Sequence, residues 1–151
     1  MIKCVVEVSH TSTCDHTMKK ALRVEVNELH AEVKQALRAA KRGREVCGLL
    51  VRENGFLRLL PVKNTTKRLG SFEIVPNWSR ISLQANRVAA GRVVGTYHSH
   101  PASPAEPRPG DIAGTWNRAF MLIIACWGER VRLWQVRGDI AHPINLIRRL
   151  S

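Results

Sequence analysis

Residues 95–111 read GTYHSHPASPAEPRPGD: two histidines two residues apart, four prolines, and an aspartate eleven residues beyond the second histidine. The run that leads into them, RVVGTYHSH at 92–100, has the β-branched and aromatic content of a strand. On a strand, residues i and i+2 share a face, so His98 and His100 aim their imidazoles at one point while Ser99 turns away. Pro101 ends the strand. Pro104, Pro107 and Pro109, each fixed in φ, let the loop return so that Asp111 offers an oxygen to the same point. Two histidines and a carboxylate leave the fourth tetrahedral position open, which is the pattern of a catalytic rather than a structural zinc site. An HxH pair by itself also suits histidines bonded to backbone or solvent at a strand end, so the surrounding sequence must decide.

Upstream, Val26, Leu29, Val33, Leu37 and Ala40 recur at helical spacing, predicting a helix over 25–42 with Gly43 as its stop. EVCGLLV at 45–51 and FLRLLPV at 56–62 flank Asn54-Gly55, a pair that tolerates positive φ, and so predict an antiparallel hairpin. SFEIV at 71–75 reads as a short extended piece and 77–90 as a second helix stopped by Gly91. After the proline-rich loop, Asp111 reads as the N-cap of a short third helix. FMLIIACW and RVRLWQVR follow as strands joined at Gly128-Glu129, and INLIRR closes the chain as a strand or helical end. IKCVVEV near the start is a further strand candidate, which makes residues 1–22 an extension or an added strand. The expected class is α+β: a mostly antiparallel twisted sheet with two longer helices and one short one, in a single domain spanning 1–151.

Composition narrows the function classes. The longest apolar run, residues 119–127, has nine residues, about half of a membrane span, so no membrane partner is expected. No signal-peptide pattern opens the sequence. Cys4, Cys14, Cys47 and Cys126 form no CxxC pair and no compact framework, which points to a reducing cytoplasm. Cys4, His10, Cys14 and His16 could be read as a second metal set, but their spacing matches no common zinc module. The net charge of +12 favours acidic partners, yet the basic residues are scattered from Lys3 to Arg149 without a stripe. Nucleic acid is therefore the weaker reading and a solvated surface the stronger.

A zinc site that hydrolyses needs a base to take a proton from water and deliver it to the leaving group. Glu45, which opens the EVCGLLV strand, is the candidate. An upstream Glu before CGLL, then HSHP, then Asp111 in register make the chain resemble the JAMM (MPN+) family of zinc isopeptidases and metalloproteases. The order of elements agrees from about residue 21 to 147, including PVKN after the hairpin and FEIVP before the second helix.

The resemblance implies the MPN/JAB, cytidine-deaminase-like fold and one zinc ion per chain held by His98, His100 and Asp111. It implies that Glu45 is the base and that a donor beside the metal stabilises the oxyanion. The family places a serine for that purpose three residues before the aspartate; here the position is Arg108. Arg108 is therefore the altered catalytic position, able to serve as a cationic oxyanion donor, to oppose the zinc by its charge and so suppress activity, or to point to solvent and hold an acidic substrate tail. Ser99 and Ser103 are poorer replacements, one facing away and the other out of register. The implied substrate is a ubiquitin-like protein or its conjugate, cut after its extended C-terminus. With 52 residues between Glu45 and His98, the chain resembles compact prokaryotic members, which act alongside activating and conjugating proteins, including in antiviral defence. The alternative is a noncatalytic MPN-like binding or scaffold module.

Overall fold

The computed structural model describes residues 5–6, 22–66, 71–73 and 92–148. The expected helix over 77–90, most of the first strand and the Cys4, His10, Cys14 and His16 set lie outside the described residues. Helix α1, Val26–Ala40, forms where the 3.6-residue pattern predicts it and buries Leu29, Glu32, Val33 and Ala36. Gly43, at φ 66°, ends the turn that follows, where its N–H bonds the Ala40 carbonyl. No described helix is long and apolar enough to cross a membrane.

Around α1 the strands are β1 (Val5–Val6), β2 (Leu22–Val24), β3 (Cys47–Glu53), β4 (Phe56–Val62), β5 (Arg92–His100), β6 (Phe120–Ala125), β7 (Arg130–Arg137), β8 (Ile140–Ile144) and β9 (Leu146–Arg148). The sheet runs β1-β7-β6-β5-β3-β4-β2-β9, with β8 also on β7. The long ladders are antiparallel except for β5 on β6, which is parallel. Because β8 pairs with β7 and β9 with β2, the segment 140–148 links the two flanks of the sheet. The β3–β4 hairpin turns at Asn54 and Gly55, both at positive φ, as their sequence predicts. Val5–Val6 forms a short parallel strand on β7.

Two details differ from the sequence reading. The short helix α2 spans Pro109–Ala113, with Arg108 as its N-cap and Asp111 inside its first turn. Proline at the first helical position is pre-organised for helix, which moves the start ahead of Asp111. Strand β8 was not anticipated: it contains Pro143 and only five residues, and it returns onto β7 through a turn with Gly138 at φ 64°.

The main core lies between α1 and the sheet, with Leu29, Val33, Leu50, Leu57, Tyr97 and Leu122 fully buried. A smaller cluster, Ala105, Met121, Ile123, Ala125, Trp134 and Val136, packs beneath the proline-rich loop. The Trp134 indole N–H bonds the Ala105 carbonyl at 3.0 Å, which pins that loop to the sheet beside the histidine strand.

Candidate metal centre

Strand β5 is flanked on both sides, by β3 and β6, so its C-terminal end cannot fray sideways. His98 and His100 share a face at that end and are both fully buried. Their Nε2 atoms lie 3.0 Å apart, and Asp111 Oδ2 is 3.3 Å from each. Ser99 turns the other way, as expected, and its Oγ accepts the Val46 N–H at 2.9 Å.

The three atoms fit a zinc ion. Ligands at about 2.0–2.1 Å in a tetrahedron are separated by about 3.3 Å along each edge, which is the triangle the side chains form. The proton of His100 is also arranged for it. His100 Nδ1 is 2.7 Å from the Pro104 carbonyl oxygen, which can only accept, so that nitrogen carries the proton and Nε2 presents its lone pair. Burial pushes the His98 pKa down, more than the neighbouring Asp111 raises it, so His98 is neutral near pH 7. Burial pushes the Asp111 carboxyl up, but its close approach to the His100 and His98 rings and the hydrogen bond from the Arg108 N–H hold it well below the usual range.

Glu45 lies just ahead of β3. Cys47 is in register with His98, and the Ser99 N–H bonds the Val46 carbonyl at 3.0 Å, so the chain brings Glu45 alongside the histidine end of β5. The Glu45 side chain is fully buried; its Oε1 accepts from Arg108 Nη2 at 2.7 Å. Its Oε2 is buried and has no hydrogen-bond partner among the described residues. Arg108 also reaches Asp111 through its backbone N–H at 2.9 Å, Nε at 3.3 Å and Nη2 at 3.4 Å. All five residues singled out in the sequence therefore meet at one place.

Three supporting residues were not legible in advance. Asn64 donates to the Glu45 and Ser71 carbonyls and accepts from the Thr66 and Glu73 N–H groups, tying the segment before β3 to residues 71–73. That segment carries Phe72, which stacks on His98 with ring centres 4.5 Å apart. Pro104 acts through its carbonyl alone. The side chains of PVKN and FEIVP offered a hint for Asn64 and Phe72, whereas a backbone acceptor leaves no mark on the residue type.

The family model for prokaryotic homologs of the JAB domain matches residues 26–137. Among solved structures, a protein from Desulfitobacterium hafniense is 22% identical with a TM-score of 0.72, the alignment covering 86% of this chain and 94% of that one. A JAB1/MPN domain protein from Archaeoglobus fulgidus is 16% identical with a TM-score of 0.54, covering 85% and 99%. A protein from Salinibacter ruber is 20% identical with a TM-score of 0.57, covering 85% and 92%. At these identities the likeness is one of fold. No curated protein matches. Since the matched residues run from α1 through β7 and contain Glu45, His98, His100, Arg108 and Asp111, the chain belongs to the family of prokaryotic homologs of the JAB domain.

Proposed function

We propose that this protein is a zinc-dependent peptidase or isopeptidase that cuts after the extended C-terminal tail of a ubiquitin-like protein. The observation that carries the reading is the donor triangle of His98, His100 and Asp111 with a buried carboxylate, Glu45, linked to it through Arg108. Zinc held there would act as a Lewis acid on the scissile carbonyl and bring the pKa of water towards about 7.

The chain's own residues then divide the remaining work. Glu45 accepts a proton at Oε2, the oxygen without a partner among the described residues, and returns it to the leaving amine. The Pro104 carbonyl keeps the His100 tautomer fixed, and Phe72 covers one face of His98. Asp111 stays ionised through its closeness to the two imidazoles, helped by the Arg108 N–H that its first-turn position in α2 supplies. An extended tail suits such a site, because backbone hydrogen bonding to a strand or loop leaves specificity to a few pockets. A groove adjoining the loop at Pro104, floored by Ala105, Ala125 and Gly128 and bordered by the exposed Trp127, has room for small residues.

The test is incubation of the full chain with ubiquitin-like conjugates, with and without a chelator. Cleavage that stops with chelator and returns with added zinc is the expected result. Absence of cleavage across such conjugates, with zinc bound, would favour the scaffold reading, for which the ion pair between Arg108 and Glu45 is the supporting feature.

A further inference from the structure

The two buried carboxylates of the site already share a cation. The side chains of Glu45 and Asp111 are 0% and 7% exposed, and one guanidinium, 39% exposed, bridges them. Its fork points inward: Nη2 donates to Glu45 Oε1 and approaches Asp111 Oδ1, while Nε approaches Asp111 Oδ2. Asp111 Oδ2 is also the oxygen that completes the triangle with the two Nε2 atoms. A divalent ion held by that triangle would therefore share a carboxylate with Arg108, and like charges that close would repel.

We infer that Arg108 is an internal counter-cation that opposes metal loading. It offsets part of the charge of Glu45 and Asp111 in the absence of the ion, and the ion binds against its charge. Removing the charge leaves Asp111 in place, because the backbone N–H of residue 108 still holds Oδ2 and the position in α2 is unchanged. The same contact occupies Glu45 Oε1, so Arg108 acts on the site through both acids and is a positioning residue. This inference rests on the reading of the triad as a zinc site.

The experiment is a zinc titration of the full chain against a chromophoric chelator, at fixed pH and low ionic strength. The parent is compared with Arg108→Gln, Arg108→Ala and Arg108→Lys. Arg108→Gln keeps a donor and much of the length without charge, whereas Arg108→Lys keeps the charge without the fork. Arg108→Gln and Arg108→Ala are expected to bind zinc roughly tenfold more tightly or better, with Arg108→Lys close to the parent. Because structural damage weakens metal binding, a gain cannot come from misfolding. The same two variants should show the larger zinc-dependent rise in melting temperature.

Equal or weaker affinity in Arg108→Gln and Arg108→Ala, with zinc still bound by the parent, overturns the inference and leaves the metal reading standing. A gain in Arg108→Lys matching that in Arg108→Gln also overturns it, since charge would not be the cause. If no form binds zinc, the metal reading falls and the inference falls with it.

Discussion

Glu45 illustrates how one carboxylate can have two differently committed oxygens. Oε1 is held by Arg108 at 2.7 Å and Oε2 is buried without a partner among the described residues. Glu45→Gln keeps the shape and an oxygen able to accept from Arg108, but removes the proton acceptor. The expected outcome is unchanged zinc content with turnover lower by roughly 10²-fold or more, the scale of general-base catalysis. Parallel metal analysis and cleavage assays check this; a variant as fast as the parent would remove Glu45 from the mechanism. Residue identities at this scale were largely legible, because imidazoles and carboxylates at set spacing are informative by type. What spacing could not show is the direction of the Arg108 fork. A guanidinium at position 108 is compatible with facing solvent, substrate or base, and only the placement of α2 against the segment before β3 turns it onto Glu45.

Among the elements, β5 has the least freedom. A Cβ added at Gly95 would lie 1.9 Å from the Phe120 carbonyl oxygen and 2.6 Å from its carbon, atoms of the adjacent β6 backbone that cannot rotate away. A β-bulge between β3 and β5 falls beside it, between Leu50 and Val51. Gly95→Ala is therefore expected to cost at least about 1–3 kcal/mol, the usual range for overpacking, and to disturb the histidine end of the strand. Gly55→Ala meets open space, and its penalty comes only from φ +81°. That penalty should be about 1 kcal/mol. Chemical-denaturation midpoints test the order, and equal losses at the two positions would contradict the close-approach argument. The hairpin, α1, β6 and β7 were readable because their periodicities are clear. The start of α2 and the existence of β8 depend on how short, proline-containing segments dock, which local pattern does not encode.

At the scale of the whole molecule, one buried polar link ties α1 to the strand that carries the site. Tyr97, fully buried between Thr96 and His98, donates its hydroxyl to Glu32 Oε2 on α1 at 2.8 Å. Burial raises the Glu32 pKa; the Tyr97 hydrogen bond offsets part of this, and the Glu28 charge adds to it. A carboxyl with a raised folded pKa favours the folded state while protonated. Below the unfolded value, about 4.3, both states are protonated and the group costs nothing. As the pH rises above that value the unfolded chain ionises first, and stability is lost until the folded carboxyl also ionises. Glu32→Gln removes this loss while keeping an oxygen for Tyr97. The melting temperature of the variant relative to the parent should therefore be more favourable at pH 7 than at pH 4. Asp111 works in the opposite sense, its contribution being lost as pH falls, but it is common to both proteins and cancels in the difference. Tyr97→Phe should do the reverse, leaving a buried carboxylate oxygen unpaired at a cost of about 1–3 kcal/mol where Glu32 is ionised. A pH-independent difference between Glu32→Gln and the parent would mean that this buried carboxyl carries no ionisation cost, and the link would then be one of packing alone.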